Sequence, residues 1–192
     1  ATTHTVPSCG WMIQQHAMAG KFDRQRADEL NLSTKERAML ARGEDVTTAD
    51  GTTLESAWFR GGERAPVSVL VSGDTAAMPP AWTDEVRPTL LVHEATFLDE
   101  QQDKADEHQH STATGAVASA LAVGAESLAL THYSNRIKST EEPVSEAKSA
   151  GEALPVVALN DNDRMVVDDE GRVHHLSWTE TGWASLNIKP NR

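Results

Sequence analysis

The sequence predicts an α/β protein in which helices pack against a mostly parallel sheet. Short apolar runs, of the length of buried strands, alternate with stretches of helical composition in the order strand, loop, strand, helix, strand, helix, strand. Three of the apolar runs end in polar residues, and in such sheets ligands bind beyond the strand ends. At 192 residues, the chain has the length of one domain. We therefore expect one core sheet with a ligand site along one of its edges.

The first third of the chain is predicted to be less regular than the rest. Residues 1–14 alternate well enough for a strand or hairpin that is broken at Pro7 and Gly10. Residues 15–65 are polar and rich in arginine. The spacing of their apolar residues around position 27 predicts one short helix, and the Asp50-Gly51 pair predicts a turn. Regular structure is therefore expected mainly after residue 65.

The remaining two thirds carry clear strand and helix patterns. A strand is expected at 67–71, and a second one, after a Pro-rich connection, ends at His93. The small residues at 111–126 predict a helix that begins with a Ser/Thr cap. Later elements are a strand at 127–134, a helix at 141–152 and strands at 154–160 and 164–169. The tail at 169–192, whose role is unknown, has no clear pattern.

The composition excludes several classes of protein. The single cysteine, Cys9, rules out a disulfide framework, and with no CxxC or CxxH pair there is no zinc-ribbon site. No stretch approaches the roughly 20 apolar residues of a membrane span. The first residues also lack the charged and then apolar pattern of a signal peptide. We therefore expect a soluble cytoplasmic protein with no membrane partner.

The charge of the chain is strongly acidic, with 29 Asp and Glu against 17 Lys and Arg and a net charge of -12. Arginine outnumbers lysine by 11 to 6, and aromatic residues make up 5% of the chain. This composition is typical of a halophilic, archaeal protein, because high salt screens repulsion between carboxylates. An ordinary acidic cytosolic protein is the alternative. In either case the overall field repels nucleic acid.

Polar residues that can bind a metal follow three of the predicted strands. They are Asp74, the pair His93 and Glu94, and His132. A histidine at a strand end is more often a structural residue than a ligand, but repetition at successive strand ends weakens that interpretation. The sequence therefore predicts a polar site at this edge of the sheet.

Three further histidines extend this candidate site. One carboxylate with two or three imidazoles is a ligand set that divalent metals such as Zn²⁺ accept. Besides His93 and His132, the segment 93–132 contains His108 and His110, and His4 is a fifth candidate at the other end of the chain. Glu94 and His110 form a second candidate pair, in which a carboxylate orients an imidazole that delivers a proton to a leaving group. Spacing alone predicts only an unspecified metal-dependent hydrolase.

Four short motifs give a more specific interpretation. SGDT (72–75), HEATF (93–97), HST (110–112) and LTHYSNR (130–136), in this order, resemble the C-terminal half of ribonuclease Z. Members of this family are metallo-β-lactamase-fold endonucleases that mature the 3′ end of tRNA. The segment HTVPSCGWMI resembles the family's histidine-containing segment after its main metal motif, and residues 20–54 resemble its protruding tRNA-binding arm. The resemblance runs from about residue 2 to residue 168.

The resemblance implies a role for each matching residue. His4 would bind the first zinc ion, Asp74 would bridge two zinc ions and His132 would bind the second, while Glu94 and His110 would lie near the scissile phosphate as catalytic residues. It places contacts to ligands or substrate at His93, Ser111, Thr112 and Arg136. It places RNA-binding residues of the arm, at 15–65, at Lys21, Arg24, Arg26, Lys35, Arg37 and Arg42. An alternative for Glu94 and His110 is that they only orient the metal ligands.

The implied fold is the C-terminal half of an αββα sandwich, with the arm inserted. The family's main metal motif, HxHxDH, is absent from this chain, and three ligands spread over two sites cannot hold two zinc ions tightly. We therefore expect the chain to be inactive alone and to be a truncated product or a piece of a longer chain. We also expect pairing with a missing N-terminal half or a homodimer, because one sheet alone would expose apolar strands at 67–71 and 128–130.

Two other functions are consistent with the sequence. One is a non-catalytic RNA-binding or assembly module, and the other is another metallo-β-lactamase-fold hydrolase that acts on a small ester or phosphodiester. The arm argues against the small-substrate hydrolase. Residues 21–42 contain 6 basic and 4 acidic residues, whereas the rest of the chain contains 11 basic and 25 acidic ones. A locally basic arm makes RNA, in particular precursor tRNA, the expected partner despite the net charge.

Overall fold

The structure is a computed structural model that describes residues 1–16, 19–62 and 66–187. In chain order its strands and helices are β1 (Trp11–Gln14), α1 (Arg24–Glu29), α2 (Thr34–Ala41), β2 (Val46–Thr47), β3 (Thr53–Leu54), β4 (Ser68–Val71), β5 (Leu90–Glu94), α3 (Gln102–His108), α4 (Ala113–Ala122), β6 (Leu128–Thr131), α5 (Glu141–Ala150), β7 (Val156–Ala158), β8 (Arg164–Val167), β9 (Val173–Thr179) and β10 (Gly182–Asn187). The chain divides into two compact units. One unit is His16–Pro66, and the other comprises Ala1–Gln15 and Val67–Arg192.

The larger unit is built on a five-stranded sheet with the order β1-β4-β5-β6-β7. Strands β4 to β7 are parallel, and β1 lies antiparallel to β4 at the edge. The helix α4 has alanine or glycine at most of its positions and packs closely on the sheet, with Ala113, Ala116 and Ala120 fully buried. Thr112 caps this helix by accepting a hydrogen bond from the Gly115 amide at 3.1 Å. The predicted α/β class is therefore confirmed.

The apolar surface left exposed by this sheet lies on its edge strand. Trp11 is 67% exposed and Ile13 is 63% exposed, whereas Leu128 and Leu130 are fully buried. The expectation of an exposed face at 128–130 is therefore wrong. The reason is that β6 lies between β5 and β7 and belongs to one core cluster with residues of α4 and α5. In β4, side chains alternate between buried and half-buried positions.

A second sheet in this unit joins β8, β9 and β10 as an antiparallel meander. The sequence predicts a strand at 164–169 but no clear pattern after it. Strand alternation is hidden there, because β9 carries a polar or aromatic residue at five of its seven positions and both of its faces contain histidine. The residues of the predicted tail thus continue the structure of the strand before it.

Asp163 anchors this meander. Its carboxylate accepts hydrogen bonds from His175 Nε2 at 2.7 Å, Ser177 Oγ at 2.6 Å and the Asn160 amide at 2.9 Å. Burial acts to raise the pKa of Asp163, but the hydrogen bonds from Ser177, Asn160 and His175 outweigh it, so that the pKa lies below its ordinary value. The ionised carboxylate therefore stabilises the fold.

Replacing Asp163 by alanine is expected to lower the free energy of unfolding by about 2–4 kcal/mol, because the buried His175 and the half-buried Ser177 lose their acceptor. The contribution is present above the unfolded-state pKa of about 3.9 and is lost as the pH falls through the lower folded-state pKa. Urea denaturation at neutral and acidic pH measures both effects. The matched control is Asp161→Ala, because Asp161 is exposed. Equal stability of the two variants at neutral pH would contradict the anchoring role.

The smaller unit, His16–Pro66, contains two short helices and the β2–β3 hairpin. Its core is formed by six buried residues, namely Ala27, Leu32, Leu40, Val46, Leu54 and Phe59. Helix α1 is the predicted short helix, and the turn at Asp50-Gly51 is present, with Gly51 at φ +86°. The sequence analysis did not predict α2, which begins at a capping box formed by Ser33 and Glu36. No helix among the described residues has the length and apolar character needed to cross a membrane.

Candidate metal centre

The candidate site lies where three parallel strands end at one edge of the larger sheet. Asp74 follows β4, Glu94 ends β5 and His132 follows β6. Gly73 is required next to Asp74, because its φ is +62° and a Cβ there would lie 2.8 Å from the Cys9 carbonyl oxygen. His132 also has a positive φ, of +57°, which costs a non-glycine residue about 1 kcal/mol or more. The backbone thus bends after both strands, where the polar side chains are placed.

Glu94 is the buried centre of this site, and its side chain is 1% exposed. Its Oε1 accepts hydrogen bonds from the Thr75 amide at 2.7 Å and from His110 Nδ1 at 2.6 Å. Its Oε2 accepts from the Ser111 amide at 3.1 Å and from the amide and hydroxyl of Thr96 at 3.3 and 2.5 Å. Five donors therefore surround the two oxygens of this buried carboxylate, so that its hydrogen-bonding capacity is satisfied within the protein.

His110 connects Glu94 to the other histidines. Because a carboxylate can only accept, His110 Nδ1 donates to Glu94, and the ring presents its Nε2 at 3.4 Å from His4 Nε2. The rings of His110 and His132 stack with their centroids 5.7 Å apart. Three histidines that are far apart in sequence therefore lie in one cluster.

Two overlapping groups of side chains in this cluster could hold a metal ion. The first is His4, Asp74 and His110, and the second is Glu94, His110 and His132; within each, the donor atoms lie within 4.8 Å of one another. Asp74 Oδ1 also lies 3.6 Å from His132 Nε2. Imidazole nitrogens with a carboxylate oxygen form a zinc-type donor set. The donor chemistry fits the metal implied by the sequence, although Glu94 is already surrounded by donors.

These donors border an open cavity of about 700 Å³, which is lined by Asp74, Glu94 and His132 among others. The side chains of Asp74 and His132 are 44% and 52% exposed. Leu159, Asn160 and Asp161 also line this cavity. The site can therefore admit a substrate as well as an ion.

Four further residues predicted to belong to the site differ from one another in burial and in their contacts. His93 is fully buried, donates from Nδ1 to the Glu94 carbonyl oxygen at 2.7 Å and packs against Trp82. Burial lowers the pKa of His93, which makes its neutral form the stable one. Ser111 is buried and supports Glu94 through its amide, while Thr112 caps α4. Arg136 is exposed, and its amide contacts Ser134.

Thr96 is a site residue that sequence reasoning missed. Its hydroxyl lies 2.5 Å from Glu94 Oε2, 2.9 Å from His132 Nδ1 and 3.3 Å from His110 Nδ1. It therefore links the carboxylate to both histidines. The available signal was its place in HEATF, three residues after His93, on the turn that directly follows β5.

The basic residues predicted to bind RNA lie in the smaller unit and are not equivalent. Arg37 forms an ion pair with Asp28 and donates to the carbonyl oxygens of Leu32 and Ala27. Likewise, Arg26 donates to the Trp58 carbonyl oxygen, and Arg42 pairs with Glu44. The other three, Lys21, Arg24 and Lys35, are exposed. Arg26, Arg37 and Arg42 thus have structural contacts inside the unit.

Comparison with known proteins identifies relatives of this chain. No protein-family model matches it. The ribonuclease Z of Synechococcus sp. (strain CC9605) is 39% identical over 135 residues, which are 70% of this chain and 42% of that protein. The ribonuclease Z of Natronomonas pharaonis is 35% identical over 168 residues, or 87% of this chain and 54% of that protein. The ribonuclease Z of Halobacterium salinarum is 34% identical over 156 residues, which are 80% of this chain and 51% of that protein.

Two solved structures are similar to part of this chain. The short form of human tRNase Z is 32% identical to this chain, with a TM-score of 0.34 over 44% of this chain and 30% of that one. The metallo-β-lactamase fold protein YhfI from Bacillus subtilis is 21% identical, with a TM-score of 0.44 over 49% of this chain and 37% of that one. The chain spans about half the length of the curated relatives it matches. The sequence matches confirm the resemblance predicted from the motifs, and the chain is therefore related to the C-terminal portion of the ribonuclease Z proteins.

Proposed function

We propose that this chain contributes to a metal-dependent endoribonuclease that removes the 3′ trailer from tRNA precursors. The observation that carries the proposal is the buried Glu94–His110 pair, 2.6 Å apart, beside Asp74 and His132 at the same sheet edge. Cleaving a phosphodiester requires a proton for the leaving oxygen and neutralisation of charge at the phosphate, and these side chains are of the types that provide both. The relatives named ribonuclease Z support a tRNA substrate.

We propose zinc as the metal, with two ions in the complete site. His4 and Asp74 would hold one ion, and Asp74 with His132 the other. In such sites zinc activates water and neutralises charge on the phosphate. Because each zinc takes about four ligands and the chain has no HxHxDH motif, these donors fall short of two complete sets. We therefore propose that the chain is inactive without ligands supplied from elsewhere.

His110 is the proposed proton donor. Its hydrogen bond to Glu94 fixes the ring so that Nε2 is the available atom, on the side of His4. In its doubly protonated form His110 keeps its Nδ1–H on Glu94, delivers the Nε2 proton to the departing ribose oxygen and returns to the neutral imidazole, which leaves a 3′ hydroxyl on the tRNA. Thr96 positions both His110 and His132 through one hydroxyl, so that donor and metal ligand keep a fixed relation.

A chimera tests this function. In it, the present chain replaces the portion of the Natronomonas pharaonis ribonuclease Z that it matches, which is 54% of that protein. We expect the purified chimera to cleave a precursor tRNA in the presence of zinc, whereas this chain alone does not. A folded chimera that binds precursor tRNA and zinc without cleaving would favour a non-catalytic RNA-binding role instead.

The unit His16–Pro66 is proposed to bind the tRNA backbone. Replacing Arg24 and Lys35 together by alanine should weaken binding of precursor tRNA and reduce the slope of log affinity against log salt by about 2, roughly one unit per phosphate contact. Fluorescence anisotropy over a salt series measures the slope. The matched control changes Lys104 and Lys148, which are exposed lysines of the other unit. An equal effect of both double variants would reject the arm as a specific contact.

A further inference from the structure

The meander of β8, β9 and β10 carries an exposed aromatic surface formed by Arg164, Trp178 and Trp183. Trp178 is 62% exposed and Trp183 is 39% exposed, and their ring centroids lie 5.2 Å apart at an angle of 72°. The Arg164 guanidinium carbon lies 4.0 Å from the centroid of the Trp183 ring. Exposed indoles clustered with a stacked arginine are uncommon on a surface that serves only solvation, and they are typical of a binding site.

This surface borders a second open cavity of about 750 Å³. Trp178, Trp183 and Ser177 form part of its wall, and residues 160–164 form the rest. Asn160 and Asp161 also line the cavity that contains Asp74 and His132. The two cavities therefore share a wall and are neighbours within the same unit of the chain.

We propose that the surface of Arg164, Trp178 and Trp183 stacks an unpaired nucleobase of the RNA whose phosphate lies in the neighbouring cavity. The inference rests on the proposed function. Every nucleobase has a flat π face that stacks on indole or guanidinium planes, and the Asn160 and Asn162 amides beside them can both donate to and accept from base edges. This gives an RNA end a fixed direction as it leaves the metal centre.

The charge around the surface favours a base over a phosphate. Asp163 lines this cavity but not the neighbouring one, and it would repel a phosphate group here, whereas a neutral base is not repelled. The cation of Arg164 is directed over the Trp183 ring, so that it serves as a stacking plane. A second copy of the chain, which could also cover two indoles, is an alternative that the test separates.

Binding of a fluorescein-labelled hexaadenylate to the chain, measured by anisotropy, tests the proposal. We expect the double variant Trp178→Ala and Trp183→Ala to raise the Kd by about five- to 150-fold, as loss of one stacked base predicts. Changing both residues to phenylalanine should retain most of the affinity, which separates stacking from damage to the fold. Trp11→Ala is the matched control, because Trp11 is 67% exposed on a strand of the other sheet. An abasic hexamer should bind the native chain and the alanine variant equally.

Two results would overturn the proposal. One is equal hexaadenylate affinity in the native chain and the alanine double variant. The other is a change of oligomeric state in that variant, seen by sedimentation, without any change in hexaadenylate binding, which would assign the surface to self-association. Failure of the proposed function is distinguishable: tryptophan-dependent hexamer binding would persist, but the chimera would not cleave precursor tRNA.

Discussion

Replacing Glu94 by alanine is expected to lower the free energy of unfolding by at least about 3 kcal/mol. The amides of Thr75, Thr96 and Ser111 would all lose their acceptor in a buried setting, and each unsatisfied donor costs about 1–3 kcal/mol. Domains of this size are stable by only about 5–15 kcal/mol, so the variant would be close to unfolding at room temperature. Urea denaturation followed by circular dichroism measures the loss.

The more conservative change, Glu94→Gln, separates stability from chemistry. The amide keeps the shape and one accepting oxygen, but its NH2 group cannot accept, so the donors at one of the two original carboxylate oxygens lose their acceptor. In either orientation the neutral amide no longer stabilises the positively charged form of His110. We expect a smaller loss of stability than in the alanine variant and a fall of about 10²–10⁴-fold in cleavage by the chimera. The exposed Glu100 supplies the control, Glu100→Ala. A loss below about 1 kcal/mol in Glu94→Ala would contradict the role of Glu94 as the buried centre.

Replacing Asp74 by asparagine should abolish zinc binding to this chain or weaken it by at least about 100-fold. Even the loss of a residue that only supports a ligand commonly costs 10- to 100-fold in affinity, and Asp74 is proposed to contact the metal directly. Titration calorimetry with zinc at neutral pH measures the affinity. The same change should leave the metal-free chain as stable as before, because the Asp74 side chain is 44% exposed.

The control for this change is Asp103→Asn, an exposed aspartate on α3. It removes the same charge from the same unit of the chain without touching the cluster. Zinc affinity that is equal in the two variants would refute Asp74 as a ligand. Retained cleavage by an Asp74→Asn chimera would refute its role in the reaction.

The strand-end residues were predictable because two features are visible in the sequence. The strands β4, β5 and β6 read as continuous apolar runs, and Asp74, Glu94 and His132 follow or end them directly. In parallel strands the carboxyl ends meet at one edge, so the proximity of these three residues follows from their positions. The pairing of His110 with Glu94 was a hypothesis from their residue types alone, because a loop and the helix α3 separate the two residues and no strand pattern places His110.

Other features depend on three-dimensional contacts that a sequence does not reveal. Thr96 is one of many threonines in the sequence, and apart from its place in HEATF nothing there marks it as part of the site. In the structure it follows β5 directly, and its hydroxyl contacts the side chains of Glu94, His110 and His132. The sequence does not distinguish Arg37 from Arg24. In the structure, Arg37 donates to two carbonyl oxygens inside the smaller unit, whereas Arg24 is exposed. The strand β8 was predicted, but β9 and β10 were missed, because polar and aromatic side chains on both faces of β9 hide the period of two.

The position of the cut in precursor tRNA tests the central proposal most directly. The 3′ end of the tRNA released by the zinc-loaded chimera can be mapped by sequencing and by ligation, which requires a 3′ hydroxyl. We expect one dominant cut between the end of the acceptor stem and the trailer, which leaves a 3′ hydroxyl on the tRNA. The Asp74→Asn chimera should not make this cut. Scattered cuts, a 3′ phosphate, or unchanged cutting by the Asp74→Asn chimera would contradict the proposal.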